Sequence, residues 1–302
     1  MEETFIARFP ELSEQIFEQL NNEDLIKSIE VSKAWCDLID KRLVWKRMIQ
    51  SCTKRVKKHR YEFNLVFKKI PSEILKKFAL ACLKSRRYEI EQCQCAPLHV
   101  AAANGDLLLF KHILEKSYDK NPQDRSGETP FHSAASYNQL EICKFIIEHA
   151  KDKNPKNYAG ETPLHRATEE GNLDVFKLIF HHAEDKNPRD KDGVTPLHCA
   201  AVEGYLEMCK LIVSIVDDKN PPVWVENEWT PLHVAASNGY SEVYKLIAER
   251  VEEKNPLDNK GKTPLHEAID NGHLHICRIL LDILGIENPT LAEPEAKRLR
   301  KE

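Results

Sequence analysis

The chain has 302 residues, of which 41% are hydrophobic and 30% are charged. This composition is too apolar for a disordered chain, and no apolar run approaches the ~18–20 residues that a membrane-spanning helix needs. The net charge is −4, yet residues 41–90 carry 16 Lys and Arg against 3 Asp and Glu. The 9 cysteines lack disulfide-framework spacing and the acidic N-terminus leads into no signal-like stretch, so we expect reduced thiols in the cytosol or nucleus.

Residues 9–48 are predicted to form three short amphipathic helices. Pro10 suits the first turn of a helix, and apolar residues follow it at helical spacing. Asn21-Asn22 ends this helix, and two further amphipathic sets follow. Three short helices make a small core that leaves large apolar side chains exposed, which is typical of a docking surface.

This segment resembles the F-box, with Phe9 and Val44 in place of two leucines of the family pattern. The matching residues are Pro10, Leu12, Ile16, Leu20, Asp24-Leu25, Val31-Ser32, Trp35 and Trp45. The resemblance implies an F-box over residues 5–50 that binds the Skp adaptor and, through it, a cullin. The adaptor-binding residues that it implies are Pro10, Leu12, Ile16, Phe17, Leu20, Leu25 and Val31. Any amphipathic three-helix cap is the alternative to an F-box.

A basic helical connector is predicted at residues 51–92. Its residues 71–84 have the pattern of an amphipathic helix that would cover the open apolar face of a following repeat. The basic side chains could form a solvated face, a surface for an acidic substrate, or a nucleic-acid contact, although we do not expect nucleic acid to be the main partner. The tail, residues 291–302, carries basic residues at 297–301 that fit either a nuclear signal or a frayed end.

A unit of about 33 residues recurs between these two basic segments. Histidines stand at 99, 132, 165, 198, 233 and 266, and Thr-Pro precedes five of them. Thr-Pro predicts the start of a first helix, and Asn-Pro is predicted to end a second helix. Gly follows the first helix in most copies, and Asn138, which replaces it once, is expected to adopt the left-handed conformation.

These units resemble ankyrin repeats, since Thr162-Pro-Leu-His-Arg-Ala167 and its equivalents match the family motif. The resemblance covers residues 93–290 in about six copies and implies an all-α solenoid of helix-turn-helix units with hairpin loops. It also implies that each motif histidine bonds to neighbouring backbone. We therefore predict no metal site and no cofactor. A column of second-helix residues that includes Cys143, Cys209 and Cys277 is predicted to be packed core.

No nucleophile elbow, phosphate loop, dinucleotide fingerprint or zinc-protease motif occurs. The chain is therefore predicted to be a non-catalytic protein with no catalytic residue of its own.

Protein targets are expected to contact variable positions on the hairpins and first helices, where aromatic residues and arginine are common hot spots. Tyr158 and Trp229 interrupt columns of mostly polar hairpin residues, and Trp224 lies in the one hairpin that has two extra residues. Tyr137 and Arg166, on first helices, would extend this surface. The alternative is that the two tryptophans pack on one another.

The turn of the Trp224 hairpin is also unusual. Glu228 stands where other repeats have Gly, so we predict that Asn227 adopts the left-handed conformation there.

Together the two resemblances imply a substrate receptor of a Skp–cullin–F-box ubiquitin ligase. The repeats would hold an unidentified protein target while the F-box docks the adaptor. The alternatives are a non-catalytic ankyrin scaffold or inhibitor, which could be a host-directed effector, and a nucleic-acid-binding protein.

Overall fold

The computed structural model describes residues 97–117, 119–224 and 227–285. In these ranges the chain forms α-helices and no strand, which confirms the predicted all-α class there. The described residues belong to two compact units, one that ends at Tyr158 and one that begins at Ala159. The predicted F-box, connector and tail lie outside the described residues.

The helices come in pairs, each with a first helix and a second helix. The pairs of the first unit are α1 (Pro97–Asn104) with α2 (Leu107–Lys116) and α3 (Pro130–Ser136) with α4 (Leu140–His149). Those of the second unit are α5 (Pro163–Glu169) with α6 (Leu173–His182), α7 (Pro196–Glu203) with α8 (Leu206–Ile215), α9 (Pro231–Ser237) with α10 (Ser241–Ala248), and α11 (Pro264–Asp270) with α12 (Leu274–Leu284). Within this unit α5, α7, α9 and α11 pack consecutively, and so do the second helices.

The first helices from α3 onward begin at Thr-Pro, as predicted. In α7, Thr195 is the N-cap and Pro196 is the first helical residue. The N–H group of Thr195 donates to Nδ1 of His198 at 3.2 Å, and this reciprocal cap recurs in the other four Thr-Pro helices. Each cap satisfies amide groups that a helix start would otherwise leave unpaired.

The same histidines connect consecutive repeats. Because Nδ1 accepts a hydrogen bond, the proton is on Nε2, which donates to a carbonyl of the next hairpin. His165 bonds to the carbonyl of Val194 at 3.3 Å, and His198 to that of Trp229 at 3.3 Å. The repeated histidines therefore serve the fold, as the family resemblance implies.

The role predicted for Asn-Pro was wrong. The second helices end several residues earlier, for example at His182, whereas the Asn-Pro of that repeat begins at Asn187. The Asn187 side chain accepts a hydrogen bond from the N–H group of Leu197 at 3.1 Å, and Asn220 and Asn255 do the same in the next two repeats. Asn-Pro therefore caps the following first helix instead of ending the preceding one.

The core lies between the two layers of helices. Phe176, Cys209 and Tyr244 occupy one column of the second helices and are fully buried. The predicted packing of the cysteine column holds for Cys143 and Cys209, whereas Cys277 of the last described pair is only half-buried. Burial raises the pKa of Cys143 and of Cys209 to about 12, so both remain thiols.

Candidate protein-interaction surface

Trp224 occupies a regular position in the hairpins of the second unit. Its N–H group donates to the carbonyl of Asp192 at 2.7 Å, just as the N–H group of Lys191 donates to the carbonyl of Ala159 at 2.9 Å. Tyr158 holds the equivalent position in the first unit. The spacing of the sequence alone puts Tyr158 in this column but not Trp224, because the Trp224 hairpin has two extra residues.

The Trp224 hairpin lacks a side-chain cap that other hairpins have. In the preceding repeat, Oδ1 of Asp190 accepts hydrogen bonds from the N–H groups of Asp192 and Val194 at 2.9 and 2.8 Å. Burial raises the pKa of Asp190, although both donors act to lower it. Val223 stands at the equivalent position, where its N–H group still pairs with the carbonyl of Trp229 at 2.9 Å, but its side chain accepts no hydrogen bond.

The turn of this hairpin corrects the prediction for Asn227. Glu228 itself adopts the left-handed conformation, with a φ of 54°, at the place where other hairpins use Gly. Asn227 is not among the described residues with positive φ. Asn138, by contrast, has a φ of 56° as predicted. Backbone register, which the repeat imposes, outweighs the preference of Asn for this conformation.

Trp224 is an exposed aromatic side chain that the chain itself orients. It is 61% exposed, and it covers Gly193. The guanidinium of Arg189 lies 5.4 Å from its ring centroid, a cation–π contact. Arg189 is held in place because it donates to the carbonyl of Pro222 at 2.8 Å and contacts a carboxylate oxygen of Asp218 at 3.3 Å.

Trp229, the second tryptophan predicted to contact a target, is less exposed than Trp224. It is half-buried, and its ring stacks on that of His233 with centroids 6.4 Å apart and planes 14° apart. Its carbonyl accepts the hydrogen bond of His198. Burial lowers the pKa of His233 and lowers that of His198 to about 4, so both imidazoles stay neutral near pH 7. The alternative in which the tryptophans fill the loop by packing together is not supported, since Trp224 lies on Arg189 instead.

The other predicted contact residues lie in both units. In the first unit, Tyr158 is 54% exposed beside Gly127, and Tyr137 is half-buried at the end of α3. In the second unit, Arg166 is half-buried and bonds to carboxylate oxygens of Glu161 and Glu169. The seven predicted adaptor-binding residues lie outside the described residues.

Sequence reasoning missed three residues of this surface. Arg189, which orients Trp224, looked like an ordinary polar hairpin residue, and only contact with a residue 33 positions later reveals its role. The cap of Asp190 could have been found, because Asp recurs at 124, 190 and 258 in the sequence. That recurrence would also have marked Val223 as the exception.

Metal binding has no support in this part of the chain. Within the described ranges, no group of three or more His, Cys, Asp or Glu side chains is arranged to hold a metal ion. Over the same ranges, no helix is long and apolar enough to cross a membrane.

Comparisons with known proteins agree with these repeats. Residues 98–190 and 214–290 match a family model of ankyrin repeats in three copies, and residues 168–213 match a second ankyrin-repeat model. Residues 10–51 match the F-box-like family model. A solved ankyrin repeat domain from Acinetobacter baumannii AYE is 29% identical, with a TM-score of 0.55, and the match covers 62% of this chain and 97% of that one. No curated protein matches the chain.

Proposed function

Because the chain belongs to the ankyrin-repeat family and carries an F-box-like domain at residues 10–51, we propose that it is the substrate receptor of a Skp–cullin–F-box ubiquitin ligase. The observation that carries this proposal is the presence of both domain types in one chain. Both are non-catalytic types that bind other proteins, and one partner each would suffice for an adaptor. A site in the cytosol or nucleus, where thiols stay reduced, fits this role.

The proposed mechanism is proximity. The F-box would hold the Skp adaptor and its cullin, while the repeats hold a protein target near the conjugating enzyme. Linking two binding modules raises the effective concentration of one bound partner around the other, to the millimolar range for short linkers. In this mechanism the chain positions its target and supplies no reacting group.

We propose that a target contacts Trp224, Trp229 and Arg166 of the second unit. Tyr137 and Tyr158 of the first unit are proposed as separate contact residues. Support is strongest for Trp224, whose ring is exposed yet fixed by Arg189, since a rigid aromatic loses little entropy on binding. Trp224→Ala should therefore weaken target binding by roughly tenfold or more, as for a typical hot spot. The melting midpoint should stay nearly unchanged because the side chain is exposed. Trp229→Ala should lower the melting midpoint as well, since its ring stacks on His233.

Co-purification with the Skp adaptor tests the ligase link. The wild-type full chain is compared with a Pro10→Ala/Leu12→Ala double variant, and Trp224→Ala serves as the control with an intact F-box. We expect the adaptor to be recovered with wild type and with Trp224→Ala but not with the double variant. A folded wild-type chain that recovers no adaptor would refute the receptor proposal and favour an ankyrin scaffold.

A further inference from the structure

Each repeat of the second unit presents three equivalent positions on the face of its first helix. They are the residue before the N-cap Thr, the residue after the motif His, and the residue four positions after that His. In chain order the four sets are Glu161, Arg166 and Glu169; Val194, Cys199 and Val202; Trp229, Val234 and Ser237; and Lys262, Glu267 and Asp270. We call these twelve residues the first-helix face.

The two ends of the first-helix face have the same charge arrangement. At one end, Arg166 bonds to Glu161 at 2.8 Å and to Glu169 at 2.9 Å. At the other end, Lys262 lies 2.7 Å from Asp270 and 3.5 Å from Glu267. Each end thus holds two carboxylates around one cation, so each carries a net charge of −1. The internal cations hold the carboxylates in place and are already engaged by them.

The middle of the face is apolar except for Ser237. Val202 is 44% exposed although it is an aliphatic residue on a helix, and Val194 and Trp229 are half-exposed beside it in the same two repeats. Cys199 belongs to the same middle section but is buried. Burial raises its pKa, and the carboxylates of Glu169, Asp190 and Glu161 act in the same direction.

The distance between the charged ends sets the size of a ligand. The helices α5, α7, α9 and α11 pack side by side, and packed helices lie about 8–10 Å apart, so the ends are roughly 25–30 Å apart. An extended peptide advances about 3.3 Å per residue, so about eight or nine residues would span them. The net negative charge of the two ends favours a ligand with positive charges at both of its own ends, since an acidic segment would be repelled at both.

We propose that the first-helix face binds an extended segment of a partner protein that has apolar residues in its middle and Lys or Arg at both ends. Its side-chain cations contact the carboxylates of the two ends, which Arg166 and Lys262 hold in place, and its apolar residues cover Val202 and the ring of Trp229. The claim that this segment belongs to a ubiquitination target rests on the proposed function. Binding of the segment to the first-helix face does not itself require the adaptor.

Selection from a random dodecapeptide library displayed on phage, with the full chain as bait, tests this proposal. Twelve residues are enough to span both ends. We expect the enriched sequences to carry basic residues near both ends of an apolar stretch, separated by about eight residues. An absence of enrichment over uncoated support, or enriched sequences that lack this pattern, would overturn the proposal.

Variants then locate the bound peptide. Val202→Asp places a carboxylate in the apolar middle and should weaken binding of an enriched synthetic peptide by more than about tenfold. The matched control is Ile215→Asp, because Ile215 belongs to the same repeat and is 56% exposed, but lies on the second helix α8. Binding should survive this control substitution. Equal loss in both variants, or loss in neither, would contradict the proposed site.

Neutral substitutions test the charged ends separately. Glu169→Gln and Asp270→Asn should each weaken the peptide by a few-fold at low salt, with a smaller effect at high salt because exposed charges are screened. Glu207→Gln, on the exposed side of α8, should have no effect. If the peptide bound both variants as tightly as wild type, the carboxylates at the two ends would not contact its cations, and this part of the proposal would be refuted. Adaptor recovery should be unchanged in every one of these variants, so failure here is separable from failure of the ligase proposal.

Discussion

Two neighbouring hairpins of the second unit keep equivalent backbone hydrogen bonds but differ in length and in local chemistry. The hairpin before α7 is closed by the carboxylate of Asp190 and turns at Gly193. The hairpin before α9 has Val223 and Glu228 at these two places. Both hairpins nevertheless pair across the turn, at 2.9 Å in each case, and both receive a hydrogen bond from a motif histidine of the preceding repeat.

This difference shows that contacts between repeats, more than turn residues, hold a hairpin in place. His198 and Asn220 fix the second hairpin at its end and at the start of α9. Its tip is therefore freed from the usual sequence requirements and can carry an exposed Trp224. The irregular hairpin keeps the hydrogen bonds from His198 and Asn220 but lacks the Asp and Gly of the regular one, so these two turn residues are not needed to hold a hairpin that carries Trp224.

Acidification should cause the largest loss of stability, because it protonates the motif histidine that bonds to the second hairpin. Burial lowers the pKa of His198 in the folded chain from 6.5 to about 4, so the unfolded chain takes up the proton first as pH falls. Stability is complete above about pH 6.5 and is lost as pH falls toward 4, by roughly 3 kcal/mol from this one group. Urea unfolding monitored by circular dichroism from pH 7 to pH 4 measures the loss.

The control for this prediction is His198→Asn, whose side chain does not titrate. The variant should be less stable at pH 7, because it loses the contact with the carbonyl of Trp229. Its stability should also fall less steeply between pH 7 and pH 4 than that of wild type. If the two curves ran parallel, His198 would not be the group that titrates.

Gly193→Ala should cause the next largest loss of stability, because the added methyl group would collide with the backbone and ring of Trp224. Gly193 has a φ of 83°, and a Cβ atom there would lie 2.8 Å from the backbone nitrogen of Trp224. The left-handed conformation alone costs an Ala about 1–2 kcal/mol, and the backbone contact should bring the loss to about 2–3 kcal/mol. Thermal unfolding measures it.

Gly261→Ala isolates the contribution of that contact. Gly261 has a φ of 76°, but a Cβ atom there would meet no atom of the described residues within 4 Å. This variant should lose only the conformational part, about 1 kcal/mol. Equal losses of stability at the two glycines would mean that the hairpin of Trp224 moves away from the added methyl group without loss of free energy. Trp224 would then not be held rigidly against Gly193.

Local signals in the sequence predicted the fold well where they act within one repeat. Thr-Pro predicted the start of the first helices because an N-cap and its proline act on adjacent residues. Asn138 was predicted correctly for the same reason. Asn-Pro misled because Asn187 bonds to Leu197, ten residues later, an interaction that no local rule contains.

The candidate surface was less predictable because its properties depend on partners from other repeats. Trp224 is exposed, but the cation that orients its ring is Arg189 of the preceding repeat, which no local sequence signal indicates. Trp229, the other tryptophan predicted as a contact, is half-buried against His233. Arg166 and Lys262 stand at different positions of their repeats, although each is enclosed by two carboxylates.

Glu228→Gly should produce the smallest effect, and it should be stabilising. Glu228 has a φ of 54°, a conformation that costs a residue with a Cβ atom about 1–2 kcal/mol and costs Gly little. Since Gly also increases the freedom of the unfolded chain, we expect a net gain of about 0.5–1 kcal/mol in the free energy of unfolding. Glu228→Gln is the control, because it removes the charge and keeps the strained conformation. If Glu228→Gln stabilised the chain equally, charge repulsion would be the cause. If neither variant gained stability, the left-handed conformation of Glu228 would not lower the free energy of unfolding. The residue at this turn could then vary without loss of stability in the hairpin that carries Trp224.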